Sequence, residues 1–348
     1  VTVSGAAADV GDLTSEARRA CELAYNLSEY ADLEHAESLP WQHTVTVYGL
    51  TPSQTIEVTV TQDGQRASLQ LRAPNPERAH LVVYGDSETE PESRGANARW
   101  TPTGDAASER RYFVDQDEGY RQNLAVIAGK SPDVIAIAGD LVESGGEQRD
   151  WDEFWLHNAG LAASTVLLPA LGNHDYYGGP GDLGNYATAD SERAVLKYQT
   201  YFDLPPNGAN DPRHSERYYA LQRGVITLIV LDTNNGLPNR SDMDTNWRLL
   251  GEGEGGIAPD WQPGSEQYAW LQKELQRAQE ESRFTFVMFH GVPYTSGAHG
   301  RSPAEKPRGD IFSAQPLQAL TPLFLEHGVD AVFGGHDEMY EHSVFAGI

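Results

Sequence analysis

Residues 133–146 read DVIAIAGDLVESGG, and the way this stretch ends organises the rest of the 348-residue chain. Residues 134–138 form a short apolar run rich in β-branched side chains, long enough for a buried strand and too short for a helix. The run ends in Gly139-Asp140. A carboxylate delivered at the end of a buried strand is costly unless a cation or a ring of hydrogen bonds compensates it. Asp140 therefore calls for a partner.

The arrangement recurs four more times. Residues 81–84 (LVVY) run into Gly85-Asp86, and residues 166–171 run into Gly172-Asn173-His174-Asp175. Residues 284–289 lead to His290, and residues 331–333 lead to Gly334-Gly335-His336-Asp337-Glu338. In an open α/β sheet the C-terminal ends of the strands gather along one edge, where ligands bind. Residues far apart in sequence are thus predicted to meet at one site.

Lys plus Arg number 25 against 51 Asp plus Glu, a formal charge of −26. Such a surface repels phosphate backbones, and no basic patch offsets it, so nucleic-acid binding is excluded as a main role. The only lysines are Lys130, Lys197, Lys273 and Lys306. An acidic excess of this kind suits solubility in concentrated salt, where self-repulsion is screened. Cys21 stands alone, which leaves no internal disulfide and no cysteine metal cluster. No apolar run is long enough to span a membrane. Since the chain opens at Val1 with no signal peptide, a mature form or a fragment is expected.

In chain order, Thr14-Ser15 reads as an N-cap, followed by Ala17, Ala20, Cys21, Ala24, Leu27 and Ala31 at roughly helical spacing. From Trp41 the period becomes two, over residues 43–48, 56–61 and 67–72, with Thr51-Pro52 and Asp63-Gly64 as turns. This predicts a small all-β unit. Residues 73–76 (APNP) read as a linker, with a boundary near 77 dividing residues 1–77 from a second domain of residues 78–348. Helices are predicted over 115–130, 149–158, 266–282 and 316–327, with a further buried strand at 225–231. Strand and helix in alternation imply a layered α/β domain. Segments 176–190, 234–263 and 295–310 read as long loops beside the strand ends.

Taken together, Gly85-Asp86, Gly139-Asp140, Gly172-Asn173-His174-Asp175, Met-Phe-His290-Gly-Val-Pro-Tyr and Gly335-His336-x-Glu-x-Tyr-Glu341 resemble the ordered motif set of the calcineurin-like metallophosphoesterases. Within that superfamily the chain is most similar to purple-acid-phosphatase-like enzymes, and HTVTVYGLTPSQTIEVTV resembles the fibronectin type III-like domain that precedes their catalytic domain. The resemblance runs from about residue 41 to the end. It implies a β-sandwich flanked by helices and a centre of two divalent metal ions. Asp140 would bridge the ions, Asp86 would bind the first, and Asn173, His290 and His336 the second. His174 would act on the substrate oxygen as general acid or transition-state stabiliser, with Asp175 orienting it. Such a pair of cations can hold a hydroxide and clamp phosphoryl oxygens for in-line displacement. The family also implies secretion or a periplasmic location, and further strands beyond the last motif, so that truncation at the C-terminus is expected.

Departures from the pattern carry information too. Many relatives place histidines of the first metal where Glu88 and Glu338 stand here. If both glutamates coordinate, the first site becomes the carboxylate set Asp86, Glu88, Asp140 and Glu338, which favours hard ions such as Mg, Mn or Ca there over Zn or Fe. Glu143 takes the position of the tyrosine that ligates ferric iron in purple acid phosphatases, so no tyrosinate-iron colour is expected.

His299 follows His290 by nine positions and reads either as a substrate contact or as a loop histidine without that role. Tyr176, Tyr177 and Tyr294 flank motifs and either line the pocket or pack beneath it. Arg94, Arg99, Arg301 and Arg308 are placed in loops where they could grip phosphate. His35, His43, His80, His157, His214, His327 and His342 follow no such strand and read as ordinary polar residues. The expected activity is a metal-dependent phosphomonoesterase on a small phosphorylated substrate. A phosphodiesterase acting on nucleotides or lipid headgroups is one alternative, and a catalytically silent binding or adhesion module is another.

Overall fold

The computed structural model describes residues 2–4, 9–10, 14–17, 41–89, 93–95, 99–100, 110–111, 114–178, 188–234, 258–300 and 314–344. The N-terminal part is all β. Its strands are β1 (Thr2–Ser4), β2 (Asp9–Val10), β3 (Thr14–Ala17), β4 (Trp41–Thr44), β5 (Val47–Tyr48), β6 (Thr55–Gln62) and β7 (Gln65–Arg72). β6 and β7 form a hairpin around Asp63 and Gly64, both at positive φ (49° and 80°), as a two-residue turn matched to strand twist demands. Thr14 and Ser15 lie in β3, paired with Thr44 and His43 of β4, so they do not cap a helix. Cross-strand pairing overrides the local helical pattern there. The remainder of that expected helix, residues 18–31, lies outside the described residues.

Two sheets form the larger part. β8 (Leu81–Tyr84), β11 (Val134–Ile137) and β12 (Val166–Pro169) run parallel in the order β12-β11-β8. The second sheet contains β13 (Tyr219–Arg223), β14 (Ile226–Val230), β15 (Phe284–Met288) and β16 (Ala331–Phe333), parallel except for β13. Short β9 (Arg99–Trp100) and β10 (Arg110–Arg111) pair between β8 and the first helix in sequence. Arg99 thus lies in a strand and not a loop; Arg301 and Arg308 lie outside the described residues.

Side-chain alternation explains the layering. Leu228 and Val230 face the first sheet and share a core with Val134–Ala138, Leu168 and Met288, while Ile229, Leu231, Val287 and Phe289 face the other way. There they meet Leu271 and Leu275 of the helix α4 (Glu266–Glu281) and Leu323 and Phe324 of α5 (Thr321–Glu326). The helices α1 (Gln116–Lys130), α2 (Gln148–Ala162) and α3 (Thr188–Tyr201) precede these in the chain. α2 and α3 add Trp151, Phe154, Val195 and Tyr198 to the first core. The result is a two-sheet sandwich flanked by helices. Trp151 is fully buried and its Nε1–H donates to Gly145 O (2.7 Å), tying α2 to the loop after β11. Trp151→Ala is expected to cost about 3–5 kcal/mol, read as a lowered denaturant midpoint.

Two expectations change in detail. Residues 315–327 form a 3-10 turn (Gln315–Leu320) and then α5, because Pro322 starts a new helix more readily than it continues one. α3 begins within the segment that reads as loop 176–190.

The N-terminal unit touches the sandwich through Gln70 N–H to Ala163 O (2.9 Å) and Arg223 Nη2 to Arg72 O (2.7 Å).

Candidate metal centre

The motif residues sit where β8, β11, β12, β15 and β16 end, at the seam of the two sheets. Asp86 (φ 54°), Asp140 (φ 49°), His336 (φ 73°) and Glu338 (φ 49°) make up half of the eight non-glycine positive-φ residues among those described. Each such conformation costs about 1–3 kcal/mol and persists only when its surroundings fix it. Here they do. Asp86 Oδ1 accepts from His336 N–H (2.7 Å) across 250 residues, and Ser87 N–H donates to Asp140 O (2.8 Å).

Two glycines permit the close approach. At Gly139 (φ 89°) a Cβ would stand 2.6 Å from His290 Nδ1, and at Gly172 it would stand 2.2 Å from Asp140 Oδ1. Gly172→Ala should therefore displace the Asp140 carboxylate, with a stability loss of about 1–3 kcal/mol. Calorimetry compared with bound-metal analysis checks this, and an unchanged variant would contradict the packing.

His290 lies at the centre. Its Nδ1–H donates to Ala138 O (2.9 Å), so the ring is held with Nε2 facing inward. Around Nε2 stand Asp140 Oδ2 (3.0 Å), Asn173 Oδ1 (3.0 Å) and His336 Nδ1 (3.2 Å). The Asn173 amide is oriented by Nδ2 donating to Tyr177 Oη (2.9 Å). Two acceptor oxygens and a second imidazole converging on one nitrogen call for a shared positive charge, whether a proton or a cation. Without a metal the charge is a proton. Burial alone would push the Asp140 carboxyl up, but His290 and His174 hold it well below the usual carboxylate range, while Asp140 overcomes burial to raise His290. Burial, with His290 and His299 beside it, pushes His336 down.

Around this knot lies an excess of carboxylates. Burial first, then Asp140, push Asp86 up to about 6, and burial with Asp140 and Asp86 nearby pushes Glu88 well up. Glu88 Oε2 is buried and has no hydrogen-bond partner. Ligand atoms of Asp140, His290 and His336 lie within 4.8 Å of one another, as do those of Glu88, Asp140 and His174. Glu338 is exposed at the rim, near enough to raise the Asp86 carboxyl. An orphaned buried oxygen and crowded carboxylates facing imidazoles fit a pair of divalent cations, which would displace the shared proton on binding.

His174 is placed differently from the expectation for Asp175. Its ring donates from Nδ1 to Glu143 O (2.9 Å), with Glu143 Oε2 3.6 Å away, and its backbone N–H donates to Asp140 Oδ1 (2.8 Å). Asp175, fully buried, instead accepts the backbone N–H groups of Leu141 (3.0 Å) and Gly172 (2.7 Å). It locks the loops that carry Asp140 and Asn173, and does not hold the imidazole. Burial, reinforced by Asp140, pushes its carboxyl up to about 7.

The His299 ring lies tilted against that of His336, with centroids 4.0 Å apart, and its Nε2 is 3.9 Å from Asp337 Oδ1. Tyr177 packs against the His174 ring (4.4 Å). Tyr176 is buried with its hydroxyl on Asp232 and Arg217, and Tyr294 bonds Thr321 Oγ1 (3.0 Å). Arg94 is engaged by Asp117 and Glu153. Sequence reading missed the Glu143 carbonyl and the Tyr177 hydroxyl, since neither carries a motif signature.

An uncharacterized protein of Mycobacterium tuberculosis is 27% identical over 212 residues, covering 60% of this chain and 34% of its own length. A relative in Arabidopsis thaliana named "Probable inactive purple acid phosphatase 27" is 23% identical, covering 62% of this chain and 30% of its own. The chain thus spans about a third of the length of these relatives. A purple acid phosphatase from yellow lupin (Lupinus luteus) seeds has a similar fold, with a TM-score of 0.59 at 17% identity, over 94% of this chain and 52% of that one. The calcineurin-like phosphoesterase profile matches residues 113–339, a span that takes in Asp140, Asn173, His174, His290, His336 and Glu338 but not Asp86 or Glu88. With more than half of its 348 residues so matched, the chain belongs to the calcineurin-like phosphoesterase family.

Proposed function

We propose that the chain is a metal-dependent phosphoester hydrolase, acting as a phosphomonoesterase on a small phosphorylated substrate. The observation that carries the reading is the convergence of Asp140, Asn173 and His336 on His290 Nε2, beside the unsatisfied Glu88 oxygen.

In this reading Asn173, His290 and His336 hold one divalent cation, Asp86, Glu88 and Glu338 hold the other, and Asp140 lies between them. Bound there, the cations supply positive charge for the phosphoryl oxygens and lower the pKa of an attacking water. The carboxylate-rich side favours Mg, Mn or Ca. His174, with Nδ1 committed to the Glu143 carbonyl, presents Nε2 to the leaving oxygen and delivers a proton there. Asp175 positions the two loops beneath it. His299 extends the rim on the His336 side and contacts the substrate. The two ions also reverse the local potential that so acidic a protein would otherwise present to a phosphate. The all-β N-terminal strands serve as a fibronectin-like unit, with a domain boundary near residue 77, and the family resemblance supports an extracellular or periplasmic setting.

The test is hydrolysis of p-nitrophenyl phosphate and bis-p-nitrophenyl phosphate after chelation and return of single metals. Turnover only with metal, faster on the monoester, is expected. A faster diester reaction would assign a phosphodiesterase, and metal binding without turnover on either ester would assign a silent binding module. Metal return should also raise Tm, since crowded carboxylates lose their repulsion; the gain is about 2.7 kcal/mol when free metal is about 100 times Kd.

A further inference from the structure

His157 follows no strand, yet the structure gives it partners of a particular kind. It lies on α2 four residues after Glu153, with Nε2 3.0 Å from Glu153 Oε1 and 3.7 Å from Asp117 Oδ1 of α1. Asp117 is 7% exposed and Glu153 8%. One ligand atom from each residue lies within 4.8 Å of the other two. Asp117 Oδ1 is buried and has no hydrogen-bond partner.

Charge leaves the cluster unsatisfied. Two buried carboxylates face a single guanidinium among the described residues, that of Arg94, whose side chain is 51% exposed and reaches in from the surface. A divalent cation would match two carboxylates where Arg94 supplies half that charge, and it would satisfy the orphaned oxygen. Geometry agrees. Ligands bonded at about 2.0–2.2 Å to one ion stand roughly 3.0–3.6 Å apart, close to both separations from His157 Nε2. The imidazole is held edge-on against Tyr120 (5.4 Å, 76°), whose hydroxyl donates to Asn158 Oδ1 (3.1 Å). Packing therefore fixes the ring independently of the carboxylates. One imidazole and two carboxylates suit zinc or manganese better than calcium or magnesium, which prefer oxygen alone.

We propose that Asp117, Glu153 and His157 form an additional divalent-cation site joining α1 to α2, for which Arg94 acts as a tethered competing cation. The site shares no residue with the candidate metal centre and does not depend on the proposed activity.

The competition gives a test of opposite sign. The full chain, freed of metal by chelation, is titrated with Zn²⁺ alone and followed by calorimetry, bound-metal analysis and Tm. Arg94→Ala is expected to bind Zn²⁺ at this site about fivefold more tightly, as removal of a competing ion pair worth about 1 kcal/mol allows. Its Tm should recover when Zn²⁺ is added. His157→Gln should hold one equivalent fewer than the unsubstituted chain and leave p-nitrophenyl phosphate turnover, with Mn²⁺ returned, within about twofold; a missing ligand weakens a metal at least about tenfold. If Arg94→Ala only lowers Tm, with no tighter binding and no rescue by Zn²⁺, the cluster is a plain ion-pair network and the proposal is overturned. Equal ion counts in the unsubstituted chain and His157→Gln would overturn it too. Should His157→Gln fail to fold, Glu153→Gln takes its place and Arg94→Ala decides.

Discussion

Asp140→Asn is expected to lower metal-dependent turnover on the order of 10³-fold or more, because it removes the charge that both proposed cation positions share. Asp140 is 3% exposed, pairs with His290 Nε2 (3.0 Å) and accepts the His174 backbone N–H (2.8 Å). An amide can keep the shape and one of these hydrogen bonds while losing the charge. The substitution also breaks the buried pair with His290, so the metal-free variant should be less stable, while an amide of the same shape keeps the fold. The variant should show native circular dichroism with fewer bound ions. Full metal content with undiminished turnover would remove Asp140 from the centre.

His174→Ala should separate chemistry from metal binding. Its Nδ1 is committed to the Glu143 carbonyl and no proposed cation depends on it, so bound metal should stay at the unsubstituted level. Turnover should fall about 10²- to 10⁴-fold, the range for loss of a positioned general acid. A leaving group that needs no proton provides the internal control: p-nitrophenyl phosphate should lose less than an alkyl phosphate. An equal loss on both would assign His174 to stabilising transition-state charge, and loss of metal would make it a ligand.

Much of this site was legible because buried parallel strands announce themselves as short apolar runs, and a polar residue at the end of one is conspicuous. Asp86, Asp140, Asn173, His174, His290 and His336 all stand at or just past such strand ends, though 250 positions separate the first from the last. Less legible was whatever depends on what one strand end does to another. The sequence offers a carboxylate beside His174 at Asp175, but three-dimensional packing points that carboxylate at backbone N–H groups and brings the Glu143 carbonyl to the ring instead. Helix α3 was hidden for another reason. Its apolar positions Ala194, Val195 and Tyr198 carry helical spacing, but the glycines of residues 178–184 mark the approach as loop. At Thr14 and Ser15 the local signal was present and overruled, since pairing with β4 outweighs a marginal helical pattern. His157 shows the limit most clearly. Glu153 at helical spacing gives a hint, whereas Asp117 joins only once α1 and α2 pack side by side.

The most direct test of the account is reconstitution of the chelated chain with Mn²⁺ in steps, recording p-nitrophenyl phosphate turnover against metal bound at each step. The account predicts no turnover in the metal-free chain and recovery that follows occupancy of the seam between the two sheets, with Asp140→Asn failing to recover. Turnover that survives complete metal removal, or recovers equally in Asp140→Asn, would contradict it.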